Sequence, residues 1–361
     1  MLPKPPANLD KQNRFTELDA LRGIAALLVV LFHFTMDKPA YNAVFKLGTT
    51  GVDLFFILSG FVIFMSLNKT SGVRQFLINR VSRLYPVYWA AVSFTFIVII
   101  IRKVVITGGL YGLKQLTIYY VANLTMFQSW MRVPDLDAQY WTLIIEMLFY
   151  ISIAYIFRLG LIRYIIPIVL SAVAITLLLI YSIPYIYLKK VFFALPLLQF
   201  TPLFLAGITF YKIRFSDTPT LKYYFVIVLC LICQILLFNH TGRSRHYISQ
   251  WEYGCMLGLY FALFALFVNG KLTFIVNPVT LFLGKISYAL YLTHEYISIK
   301  VIIPVLTEKF HINFWLAAIG VALPVVILLA YALTFYIEKP YNGRLKAFLA
   351  RKTLNEKSIS Q

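Results

Sequence analysis

Residues 18–34 read LDALRGIAALLVVLFHF, an apolar run of helical length that carries three ionisable groups, Asp19, Arg22 and His33. A charge in hydrocarbon is costly, so ionisable residues inside a span mark either a functional surface or a buried partner. Arg22 and His33 are eleven residues apart. At ~100° per residue they fall within about 20° of one another, about 16 Å apart along the axis. One helix face therefore offers a fixed cation near one end and a titratable imidazole towards the other. A snorkelling Arg and a His satisfied by a neighbouring helix would give the same pattern.

The rest of the chain extends this reading. Its 361 residues are 60% hydrophobic and 13% charged, with a mean hydropathy of +0.79. A soluble domain is usually about 25% charged, so the expected fold class is all-α: a polytopic integral membrane helical bundle of about ten spans, each long enough for a bilayer core. The runs are 18–37, 50–67, 86–106, 139–157, 164–183, 195–212, 221–238, 251–269, 279–304 and 313–337. Residues 1–16 read as a loose cytoplasmic tail, 18–337 as one membrane domain, and 338–361 as a basic cytoplasmic tail. Residues 74–85, RQFLINRVSRLY, read as an amphipathic segment at the interface, and 113–128 as a re-entrant or surface helix. The net charge of +19 is spread between apolar runs, which argues for topology determinants and against a nucleic-acid partner. Most of the Lys and Arg fall in segments that are inward if the N-terminus is inside. Both termini are thus expected in the cytoplasm, in the cytoplasmic (inner) membrane. Cys230, Cys233 and Cys255 cannot form a disulfide framework; Cys230 and Cys233 are spaced C-x-x-C but within an apolar run, which reads as plain packing, so no metal is expected, and the first run lacks a convincing cleavage site.

Further polar residues interrupt later spans. Asp53 stands near the start of GVDLFFILSGF, where a carboxylate needs a partner; Ser59 and Gly60 in the same run suit close helix packing. Arg80 and Arg83 lie one turn apart, a spacing that suits bidentate phosphate binding or contact with anionic lipid. In QYWTLIIEMLFY, Glu146 shares a face with Thr142, and a carboxyl held in an apolar site suits acid–base work. In GKISYALYLTHEYIS, the residues Ser287, Tyr291, His294 and Ser298 form one polar stripe that lines a cavity or glues helices together. Counting rise from the ends of the spans puts His33, Glu146 and His294 at one outer depth, with Asp53 just above. The same count puts Arg22, Arg80 and Arg83 at the inner face.

These residues fall into ordered motifs. RGIAALxVxxFH (Arg22–His33), GVDLFFxLSGF (Gly51–Phe61), RxxRLYP (Arg80–Pro86), WxLxxExxFY (Trp141–Tyr150), GxxSYxxYLxH (Gly284–His294) and EKP (Glu338–Pro340) run nearly end to end. In this set and order the chain resembles the acyltransferase 3 family, multi-span membrane proteins that O-acetylate surface polysaccharides and similar hydroxyl substrates. Thr142 departs from the Ser that the family often has at that position. The resemblance implies cytoplasmic acetyl-CoA as donor and a carbohydrate or glycolipid acceptor, within membrane lipid. Arg22, Arg80 and Arg83 would hold the CoA phosphates. His33 would act as general base or transient acyl carrier, with Asp53 or Glu146 orienting the imidazole. Trp141, Ser287, Tyr291 and His294 would contact the acceptor. No attached extracytoplasmic SGNH-type domain is expected, so transfer is expected to end at the membrane domain or on a separate extracytoplasmic partner. The competing reading is a proton-coupled transporter built on the same buried His, Glu and Arg residues. Against it, no inverted repeat and no paired Gly/Pro-broken spans are present.

Overall fold

The computed structural model describes residues 15–67, 69–70, 72–107, 109, 112–216 and 221–359, so the expected tail lies outside the described residues up to Arg14. The α-helices are, in order, α1 (Thr16–Thr35), α2 (Asn42–Phe45), α3 (Gly51–Leu67), α4 (Val73–Thr107), α5 (Leu113–Asn123), α6 (Trp141–Arg158), α7 (Ile165–Ser182), α8 (Tyr185–Ala194), α9 (Thr201–Phe215), α10 (Leu221–Leu237), α11 (Gln250–Val268), α12 (Pro278–Ile297), α13 (Leu323–Leu333) and α14 (Lys339–Ile359). π-helical turns occupy Ser298–Ile302, Val305–Lys309, Leu316–Ala322 and Thr334–Glu338. No strand occurs among the described residues.

Among the described residues, eight stretches are long and apolar enough to cross a membrane, or nine if α8 and α9, bent by 99°, make one span. The chain is a multi-pass membrane protein. The ten expected runs each meet a helix, but the run at 195–212 qualifies only together with α8, and α10 is a shorter apolar helix of 17 residues. Residues 74–85 are not a separate interfacial segment. They form the first third of α4, which continues unbroken through Pro86 for 35 residues. A proline inside a helix removes one N–H donor and crowds the preceding turn, and neighbouring helices make this tolerable in a membrane. The C-terminal stretch expected as a tail from 338 is likewise helical, as α14.

The chain divides into two compact units, residues 1–73 with 145–284, and residues 74–144 with 285–361. In the first unit α1 and α3 run antiparallel: Phe15 packs edge-on against Phe61 at 6.2 Å, and Gly51 sits over Ala25 and Val29. α3 crosses α9 backbone to backbone at Gly60 and Gly207, where a Cβ on either would overlap the opposite main chain. Such small-residue contacts are the usual means of close helix approach in lipid. The aromatic core beside this crossing includes Phe149 stacked on Phe204 at 4.1 Å.

In the second unit α5 lies along α4. The Tyr88 hydroxyl donates to Asn123 O at 2.5 Å, Trp89 Nε1 to Leu124 O and Tyr85 to Thr125 O, each at 3.0 Å. α5 therefore ends opposite the middle of α4, packed along it. Asn123 then pins the return: its Nδ2 donates to Pro134 O and its Oδ1 accepts from Leu136 N, both at 3.0 Å. Each satisfies backbone that would otherwise be orphaned at depth.

The α3–α9 crossing makes a direct prediction. Gly207→Val should lower the unfolding temperature in detergent, consistent with an overpacking cost of about 1–3 kcal/mol. Gly258→Ala, where a Cβ meets nothing within 4 Å, should leave it unchanged or raise it, because Ala is the better helix former by about 1 kcal/mol.

Candidate functional site

His33 is half-buried near the C-terminal end of α1. Its Nδ1 lies 2.8 Å from Val29 O, one turn back. A carbonyl oxygen only accepts, so Nδ1 carries a proton in this contact. The ring is further held by Phe32 at 5.0 Å, which packs in turn on Tyr247 at 4.8 Å. A backbone carbonyl on its own helix therefore holds this imidazole at Nδ1.

Asp53 is 3% exposed on α3, and Tyr253 of α11 donates to its Oδ1 at 2.9 Å. One turn earlier the Thr50 hydroxyl pairs with Tyr260 at 2.7 Å. Two polar clips thereby fasten the start of α3 to α11. Glu146 on α6 accepts from Ser59 at 3.4 Å and from Tyr150, one turn further on. Ser59 is two residues from Phe61, which meets Phe15, whereas His33 lies at the opposite end of α1. Glu146 is therefore level with the Asp19–Arg22 end of α1, and the expectation of one layer shared with His33 is corrected. The count from Tyr140 fails because that residue does not mark the outer edge: its ring packs at 5.4 Å on Tyr88, midway along α4. Arg22 pairs with Asp19 at 3.9 Å across one helical turn.

The second unit gathers the other candidates. Because α4 is one helix, Arg80 and Arg83 stand roughly 10 and 15 Å inside its start, with the Arg80 guanidinium 5.6 Å from the Phe76 ring centroid. The next residue, Leu84, accepts through its carbonyl from Tyr288 of α12 at 3.1 Å. Tyr291 pairs with Thr142 at 2.8 Å and donates to Gln139 O at 3.2 Å. His294 is fully buried, its Nδ1 shared between Leu290 O at 3.1 Å and Tyr291 O at 2.9 Å. It lies roughly 9 Å along α12 from Tyr288. Ser287 is buried on α12, and Trp141, half-buried, opens α6.

Sequence reasoning passed over the turn that precedes α6. Asp137 Oδ1 accepts from Tyr296 N, and Gln139 Nε2 donates to Leu292 O, both at 3.0 Å. Those two backbone atoms are the ones a regular helix would pair with each other, and the π turn at Ser298 follows at once. Side chains that reach into a helix ladder are a recognised cause of such irregularity. Burial, then the Glu295 carboxylate, pushes the Asp137 carboxyl well above the usual carboxylate range. The polar DLDAQ before an apolar run and the Glu beside His294 were the available signals. For Tyr253, two hundred residues from Asp53, there was none.

A family model described as an acyltransferase domain matches residues 15–335. Among curated proteins, the chain is 32% identical to the exopolysaccharide production protein ExoZ of Rhizobium meliloti over 34% of this chain and 37% of that one. It is 29% identical to the acyltransferase MdmB of Streptomyces mycarofaciens over 40% of each. It is also 29% identical to the peptidoglycan O-acetyltransferase OatA of Listeria monocytogenes over 37% of this chain and 22% of that one. The chain spans less than half the length of these relatives. No solved structure matches it.

The Asp137 clip can be checked by hydrogen exchange. Asp137→Ala should speed exchange of the Tyr296 amide by roughly tenfold or more, as expected when a buried donor loses a partner worth ~1–3 kcal/mol. Exchange in the α3 segment 55–63 should not change.

Proposed function

The chain belongs to the acyltransferase 3 family, and from that premise we propose that it is a membrane-embedded O-acyltransferase. It moves an acetyl group from cytoplasmic acetyl-CoA to a hydroxyl of a surface carbohydrate or lipid-linked glycan. The names of ExoZ and OatA support a glycan acceptor. The placement of Lys and Arg supports cytoplasmic termini in the cell membrane.

The observation that carries the chemistry is the contact of His33 Nδ1 with Val29 O at 2.8 Å. With Nδ1–H tied to Val29 O, Nε2 is a general base. It takes the proton of the acceptor hydroxyl as that oxygen attacks the thioester carbonyl carbon. The C–S bond breaks, the proton passes to the departing thiolate, and an O-acetyl ester and free CoA result. Arg80 and Arg83 bind the phosphates of the donor through their planar forks, with Arg22 as a further cation. Trp141, Ser287, Tyr291 and His294 belong to acceptor recognition. Asp53 supports the helix frame through Tyr253, and Glu146 acts at the Arg22 end of α1.

Two measurements test this reading. His33→Ala should abolish acetyl transfer in a protein that still purifies as a folded species, and wild-type turnover by that variant would remove His33 from the chemistry. Arg83→Lys should weaken apparent acetyl-CoA affinity roughly tenfold to a hundredfold, the scale of a charge-assisted hydrogen bond of ~1.5–3 kcal/mol. The loss should vanish with acetyl-pantetheine, which lacks the 3′-phosphate and pyrophosphate. An equal loss on both donors would return the arginine to an anchoring role.

A further inference from the structure

In the first unit a pocket of about 240 Å³ opens between α8 and the loop that joins α10 to α11. Tyr185, Lys189 and Phe193 of α8 line one side, and His240, Gly242 and Arg245 of the loop line the other. Its volume is just below the range of about 300–1,000 Å³ typical of small-molecule sites, which suits a single sugar ring. The Arg245 guanidinium is fixed in place: Nη1 donates to Asn239 O at 2.8 Å and Nη2 to the Tyr185 hydroxyl at 2.9 Å. Lys189 Nζ lies 4.7 Å from the Tyr185 ring centroid and Arg245 Cζ 6.0 Å from it, so two cations flank one ring. Among the described residues no carboxylate pairs with either cation. Segments 183–200 and 238–251 hold Lys189, Lys190, Arg243, Arg245, His240 and His246 and no Asp or Glu. The next acid, Glu252, is taken by Lys46 at 2.5 Å.

The pocket loop also reaches the catalytic end of α1. Ser244 Oγ pairs with Thr49 Oγ1 at 3.2 Å, and Tyr247 packs its ring on Phe32, the neighbour of His33. Gly242, at φ +68°, donates its N–H to Gln199 Oε1 at 3.1 Å and so fixes the turn below Arg245. Under the proposed orientation this end faces away from the cytoplasm, where Lys and Arg are normally sparse. Lys189 and Arg245 line this pocket with no carboxylate paired to either among the described residues, which suits an anionic ligand.

We propose that this pocket binds a carboxylate- or phosphate-bearing sugar residue of the acceptor glycan and selects for anionic acceptors. The inference rests on the acyl-transfer reading of the same unit. Arg245 supplies a planar fork to the anionic group, Lys189 a second charge, and the Tyr185 and Phe193 rings an apolar platform for the sugar face.

The test is binding of trigalacturonate and of maltotriose to the full chain in phosphatidylcholine nanodiscs. Trigalacturonate should bind at least about tenfold more tightly than maltotriose, and Arg245→Gln and Lys189→Gln should each remove most of that preference. Lys189 makes no hydrogen bond that holds the loop, so its variant serves even if Arg245→Gln disturbs folding. Equal binding of the two trimers, or an unchanged preference in Lys189→Gln, would overturn the inference. So would loss of trigalacturonate binding when phosphatidylglycerol replaces the neutral lipid, since the pocket would then be a lipid headgroup site. Acetyl-CoA turnover by the same preparations is read separately. A wild type that binds trigalacturonate but never cleaves the thioester sinks the transferase reading and leaves the pocket assignment standing. Turnover without acidic preference does the reverse.

Discussion

The backbone contact between Gly60 and Gly207 sets the spacing on which the first unit depends. In lipid there is no hydrophobic gain from pressing helices together, so packing and internal hydrogen bonds must hold them. A similar contact joins Gly23 of α1 to the Thr280–Gly284 turn of α12. Once backbones meet at such points, polar groups on the same helices are sealed between them. Each needs a partner within reach, and the partners observed are mostly hydroxyls and main-chain carbonyls. Asp53 takes a tyrosine, Glu146 a serine and a tyrosine, and His33 a carbonyl on its own helix.

That choice has a chemical consequence. A His paired with a carboxylate becomes more basic and is held as an ion pair. A His whose Nδ1 donates to a neutral carbonyl keeps a defined tautomer without added charge. The sequence spacing gave the face on which Arg22 and His33 stand, and the helix keeps it. It does not reveal the carbonyl contact at Nδ1, since any residue one turn back supplies a carbonyl.

Much of the fold was legible because apolar runs in a membrane protein follow length directly. α1, α3, α6, α7 and α11 lie where hydropathy puts them. Two kinds of feature were not legible. One was continuity: Arg80 and Arg83 looked interfacial because charge interrupts hydropathy, yet α4 runs through them and Pro86 without a break. The other was depth. Glu146 was counted from the start of its own span, but Tyr140 lies against the middle of α4, so the zero of that count was displaced. Tyr253 as partner of Asp53, and the Asp137–Gln139 turn as partner of α12, arise from tertiary contacts with no local trace.

The two units are also held by different kinds of contact. In the first, glycine crossings and stacked phenylalanines lock the main chains together, and such interfaces do not deform gradually. In the second, side chains reach across to backbone atoms: Tyr288 to Leu84, Gln139 to Leu292, and Asp137 to Tyr296. The π turns from Ser298 to Glu338 all belong to this unit. A π turn is a rare register, found mostly as single turns inside α-helices. Asp137 and Gln139 occupy the helix ladder just before the first such turn. A unit built this way stores its alternatives in a few polar contacts, whereas the first, at Gly60 and Gly207, leaves no room for even one methyl group.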